Sequence, residues 1–126
     1  MLIALERNKT RAWAVHETLV RSEVRITLPS AVIAEWWRGR TDDREDLLAQ
    51  VRVPSGEEEV TVARVAGEVL ASLSPRKTAG SCRCKHLVDA IVMAFAARMG
   101  DVVYTGDVED LMALQAFFPA VRVLAV

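Results

Sequence analysis

The chain has 126 residues, which at roughly 100–200 residues per domain makes one domain. Apolar residues at 52% and charged residues at 26% exclude intrinsic disorder, and a chain of this size buries roughly 65% of its unfolded surface in one core. Sixteen Lys and Arg against 17 Asp and Glu leave a net charge of -1, which excludes strong bulk attraction to nucleic acid and leaves room for a local basic patch.

Taken in chain order, Lys9 to Arg21 reads as a helix, with Ala12, Val15, Leu19 and Val20 near a 3.6-residue period. Val24 to Leu28 is short, β-branched and alternating, and predicts a strand. A helix follows over Ala31 to Arg38, with Ser30 as N-cap and Gly39 just past the end. Asp42 to Gln50 predicts another helix and Val51 to Val53 a short strand. Ser55 and Glu58 fit a capping box, opening a helix that carries Ala63, Ala66, Val69, Leu70 and Leu73. Ser74 to Lys85 reads as a polar, basic loop. Leu87 to Met99 is almost wholly apolar and predicts a buried helix stopped by Gly100. Val102 to Tyr104 predicts a strand buried on both faces. A helix over Asp107 to Gln115 and a strand over Val121 to Val126 close the chain. Strands separated by helices predict an α/β fold with a mostly parallel sheet.

The longest apolar run near a span, Ala90 to Ala97, lies between Asp89 and Arg98 and falls far short of the roughly 20 residues a bilayer requires. Met1 to Leu5 is too short for a secretory signal. The expectation is a cytoplasmic protein with no membrane partner. Two cysteines do not make a disulfide framework.

Three carboxylates sit among apolar residues: Glu35 inside the run 31–37, Asp89 in the first turn of the most apolar helix, and Asp107 just after the strand 102–104. In a parallel α/β sheet, functional groups collect at the carboxyl ends of strands. Converging carboxylates repel unless a cation neutralises them, and oxygen donors suit a hard ion such as Mg²⁺ or Mn²⁺. Such ions activate water and stabilise phosphoryl displacement. Plainer roles stand beside this one. Asp107 can cap the next helix, Asp89 can answer its helix dipole, and Glu35 can pair with Arg38.

The segments LIALERN (2–8), LPSAVIAEWWRG (28–39), LVDAIVMAFAARMGDVVYTGDVEDL (87–111) and the final VRVLAV resemble the PIN-domain family, and within it the VapC-type toxins of bacterial toxin–antitoxin pairs. The resemblance implies a three-layer sandwich around a parallel sheet and an endoribonuclease using Mg²⁺ or Mn²⁺. It maps the metal-holding, catalytic acidic cluster onto Glu35, Asp89 and Asp107, with Asp110 as an outer helper. Thr105 is the hydroxyl that would orient the last carboxylate. The nucleophile would be water, with no covalent intermediate. An antitoxin protein, an RNA substrate and a homodimer are the implied partners.

One departure stands out. Aligning LIALERN places the family's first strand and its terminal Asp upstream of Met1. That strand would lie centrally, between Val24–Leu28 and Val102–Tyr104. Three readings follow: a natural protein longer at its start, a decayed copy, or a strand supplied by another chain. Glu6 is a poor substitute ligand, since it falls well past the lost position. A catalytically impaired remnant that binds antitoxin or RNA is the rival function. A signalling receiver lacks its early phosphoacceptor Asp and late Lys here.

Cys82, Cys84 and His86 alternate more tightly than zinc-ligand spacing, so two free thiols in a loop are the expectation. Arg38, Arg40 and Arg44, and likewise Arg76, Lys77, Arg83 and Lys85, flank the acidic positions and suit either phosphate contact or solvated surface. Arg38 and Arg40 are the candidate substrate contacts. Trp36 and Trp37 point about 100° apart on a helix, so one can pack inward and the other lie at an interface.

Overall fold

The computed structural model describes residues 1–37, 44–73 and 86–126. Helices α1 (Leu2–Glu6) and α2 (Thr10–Arg21) come first, followed by α3 (Ser30–Trp36), α4 (Arg44–Leu48) and the long α5 (Gly56–Leu73). Then come α6 (Leu87–Met99), β1 (Val102–Thr105), α7 (Val108–Met112) and β2 (Arg122–Ala125). The class is mixed α and β, mostly helical, with β1 and β2 paired in parallel from Val102 opposite Arg122 to Thr105 opposite Ala125. No helix of the described residues is long and apolar enough to cross a membrane.

Local chemistry explains several boundaries. Glu58 Oε2 accepts the Ser55 N–H at 2.8 Å while Ser55 Oγ accepts the Glu58 N–H at 3.4 Å, so the capping box forms and starts α5. Gly100 ends α6 at φ 72°, in the left-handed region where a Cβ is costly. Asn8, at φ 51°, turns the chain from α1 into α2, and Trp13 Nε1 then donates to Leu5 O at 3.1 Å.

Other elements differ from expectation. α1 is a helix that the short apolar start did not announce. Val24–Leu28 does not form a laddered strand. Val24 N–H is drawn back to Leu19 O, and only Ile26 O and Leu28 N–H find strand-type partners, both on Arg52. The segment 51–53 is accordingly reduced to that single parallel bridge at Thr27 and Arg52. Ser30 is the first residue of α3 rather than its cap; Pro29 holds the cap position, and Glu59 Oε1 accepts the Ser30 N–H at 2.8 Å. α3 ends at Trp36 with Trp37 as its C-cap, two residues short of the expected Arg38, and the expected start of α4 at Asp42 lies outside the described residues. In α5 the core stripe runs through Val62, Ala66 and Val69, not Ala63 and Leu73, which are exposed. In α2 the buried positions are Ala12 and His16. Within β1 only Val103 is buried; among the described residues the strand pairs with β2 alone.

The apolar residues form two clusters. In the first, α5 packs on α6 through Val62, Ala66 and Val69 against Ala90, Met93 and Ala94, with Val103, Leu111 and Leu114 closing beneath. Small residues at 66, 90 and 94 let the two backbones approach closely. The second cluster joins Leu2 and Leu5 of α1, Ala12 of α2, Leu28, Trp36 of α3 and Leu47 of α4. Between them lies an apolar cleft of about 510 Å³, walled on one side by residues 24–29 and on the other by 102–104.

Candidate functional site

The start of α6 and the end of β1 bring together part of the predicted acidic set. Asp89 stands in the first turn of α6, with its side chain 30% exposed. Burial raises its proton affinity above the ordinary carboxylate range, the negative charge of Asp110 raises it further, and Glu35 adds to the effect. His86, one turn earlier, opposes the shift; its Nδ1 lies 3.7 Å from Asp89 Oδ2, an ion-pair distance when the imidazole is protonated and too long for a hydrogen bond. Asp89 on α6 therefore feels the charge of two other carboxylates, Asp110 on α7 and Glu35 on α3.

Asp107 is placed differently. It is exposed at the N-cap position of α7, and its side chain makes no capping hydrogen bond. The Thr105 hydroxyl accepts the Asp107 backbone N–H at 3.0 Å and donates to the Asp107 carbonyl at 3.3 Å. Thr105 thus fixes the turn that presents Asp107 through the backbone, whereas the sequence pointed to its carboxylate. Glu35 is exposed, while Asp110 is half-buried. Asp110, expected as an outer helper, has the largest charge effect on Asp89 of the carboxylates.

A hard cation fits this set by donor chemistry, since every donor is a carboxylate oxygen. The geometry is more open than a closed cage: among the described residues, no group of three or more His, Cys, Asp or Glu side chains is placed to hold a metal ion. Mg²⁺ commonly takes one or two carboxylates and keeps several waters.

Arg38 and Arg40, the candidate phosphate contacts, lie outside the described residues, as do Arg76, Lys77, Cys82, Arg83, Cys84 and Lys85. Arg44 is described, and it does not belong with them. It is buried, its Nε donates to Glu6 Oε1 at 3.0 Å, and its guanidinium carbon sits 4.9 Å from the Trp36 ring centre. Trp36 is buried and Trp37 is 46% exposed, so the pair divides between core and surface. Two participants have roles the sequence pattern does not single out. His86 alternates with the cysteines, yet His-x-x-Asp at a helix start places it beside Asp89. Glu6 meets Arg44 across 38 positions, and no local signal joins them.

No family model matches the sequence, and no curated protein or solved structure matches it.

Proposed function

We propose that the chain is a PIN-like endoribonuclease that uses Mg²⁺ or Mn²⁺, the toxin of a bacterial toxin–antitoxin pair. The observation that carries the reading is Asp89, half-buried at the start of α6, whose carboxyl is pushed toward the protonated form by burial and by the negative charges of Asp110 and Glu35. Such repulsion costs free energy in the free protein and is relieved by a cation. The motif resemblance supplies the reaction class, and the PIN-type three-layer sandwich belongs to the same proposal.

In this reading Asp89 and Asp110 hold the ion and Glu35 approaches from α3. Asp107, exposed on its Thr105-fixed turn after β1, is the remaining carboxylate of the proposed set. The ion's contribution when bound is to activate water and to stabilise charge on the phosphate. Of the chain's own groups, His86 stabilises the ionised form of Asp89 when protonated. Arg38 and Arg40 are the proposed RNA phosphate contacts, and an antitoxin and a second copy of the chain are the proposed partners in the cytoplasm.

A second reading has its own support. The lack of a three-donor group among the described residues favours a remnant that binds antitoxin or RNA without chemistry. Cleavage of a structured RNA across a Mn²⁺ titration separates the two. The nuclease reading expects metal-dependent cleavage that Asp89→Asn abolishes; equal cleavage by wild type and variant sinks it.

A further inference from the structure

His86 holds a polar atom that the fold leaves unsatisfied. Its Nδ1 is buried, and among the described residues it has no hydrogen-bond partner. Such an atom costs free energy unless water or an ion meets it. The Asp89 carboxylate stands close by without supplying the bond: 3.7 Å separates Nδ1 from Asp89 Oδ2, beyond hydrogen-bond reach. A proton on Nδ1 gives an ion pair at this distance and still no hydrogen bond.

The backbone holds the pair in place. His86 occupies the N-cap position of α6, and its carbonyl accepts the Ala90 N–H at 2.9 Å. Asp89 follows three residues on, along the same helix face. Both side chains are 30% exposed, which leaves an ion a route to the pair and room for water on its outer side. Burial, and then the charges of Asp110 and Glu35, raise the proton affinity of Asp89, and the same negative charges favour any cation beside it.

The separation suits one shared ion. A divalent ion takes an imidazole nitrogen and a carboxylate oxygen at about 2.1 Å each, so the two donors stand roughly 3.0 Å apart at a right angle and roughly 4.2 Å apart in line. The observed 3.7 Å lies within that span. Donor type then decides which ion. Mg²⁺ takes oxygen and sheds water reluctantly, whereas an imidazole nitrogen favours first-row transition ions.

We propose that His86 Nδ1 and Asp89 Oδ2 jointly ligate one divalent first-row transition ion, and that His86 makes the site prefer such ions, Mn²⁺ among them, over Mg²⁺. The inference rests on the reading that a cation sits at Asp89. It requires no RNA cleavage, and it adds a nitrogen ligand that the resemblance, built on carboxylates alone, does not supply. Among the described residues no group of three or more His, Cys, Asp or Glu side chains forms a cage. Water therefore fills the remaining positions, and binding is weaker than in a closed site.

Metal binding to the full, untagged chain without RNA tests it, at about pH 7.5, where an imidazole is ordinarily neutral. Free Mn²⁺ is counted by its EPR signal, and Mg²⁺ is read by competition. His86→Gln is expected to weaken Mn²⁺ by at least about tenfold, a loss that even an outer-shell partner can cause, and to leave Mg²⁺ within about twofold. Pulsed EPR of the Mn²⁺-loaded wild type is expected to show coupling to a directly bound nitrogen nucleus; if the variant fails to fold, this measurement decides alone. Equal weakening of both ions, or no nitrogen coupling in the wild type, overturns the proposal. Wild-type Mn²⁺ binding by His86→Gln, with binding abolished in Asp89→Asn, overturns it and leaves the nuclease reading standing on carboxylates. Nitrogen-coupled Mn²⁺ in a chain that cleaves no RNA upholds the proposal and sinks the nuclease reading. No Mn²⁺ binding at millimolar concentration overturns both.

Discussion

Glu6→Gln tests how the amino-terminal half is held together. The Arg44 side chain is 6% exposed, and both Nε and Nη2 donate to Glu6 Oε1, while the guanidinium lies over Trp36. Withdrawing one partner from a buried ion pair costs about 3–5 kcal/mol, because the remaining charge stays out of water. Glu6 is 22% exposed, so water moderates the loss and the lower end, about 3 kcal/mol, applies. Urea unfolding of wild type, Glu6→Gln, Arg44→Met and the double variant reads the cost directly. The double variant is expected to be more stable than the sum of the single losses implies, since both single changes remove the same interaction. A Glu6→Gln loss below about 1 kcal/mol would refute the claim that this pair is a buried structural tie.

Asp89→Asn is expected to raise stability at neutral pH. The folded-state proton affinity of Asp89 is raised, so the folded chain binds that proton more readily than the unfolded chain. Wild-type stability relative to the variant therefore improves as pH falls through the raised value, and denaturant midpoints at several pH values check the convergence. Met93→Ala, at a fully buried position, is expected to cost about 2–5 kcal/mol by leaving a cavity between α5 and α6, measured by urea unfolding. Glu58 is held down to about 2 by Arg52, whose Nη2 donates to its Oε2 at 2.6 Å, and by Ser55. Its contribution to stability is present above the ordinary carboxylate range and lost as pH falls toward 2; Glu58→Gln is expected to flatten that part of the acid titration followed by helical circular dichroism.

What the sequence reveals here divides by range. The Ser55–Glu58 box and the Gly100 stop are complete within a few residues, so their hydrogen bonds were readable in advance. Val24–Leu28 has strand composition, but a strand exists only through its neighbours, and this one meets a single bridge at Arg52. His16 and Val62 replaced the expected apolar positions because burial is set by which face the partner helices cover. The acidic set was legible as residue types, since Asp89 and Glu35 interrupt apolar runs. Its internal ranking was not. That Asp110 weighs more on Asp89 than Glu35 does depends on how α7 turns after Asp107, and the Thr105 turn that fixes it is a tertiary detail. Arg44 shows the opposite failure: composition placed it with a basic stretch, and the fold buried it.

The division of the apolar residues into two clusters has a consequence for how the chain melts. A single contiguous core couples every element to one transition, whereas clusters parted by an open cleft can lose order separately. One cooperative unit would comprise α5, α6, α7 and the β1–β2 pair, and the other α1 to α4 with Leu28. Calorimetric and van't Hoff enthalpies should then disagree for the free chain. Anything that fills the space between the units would do more than add its own contacts: it would weld two small, separately fragile bodies into one.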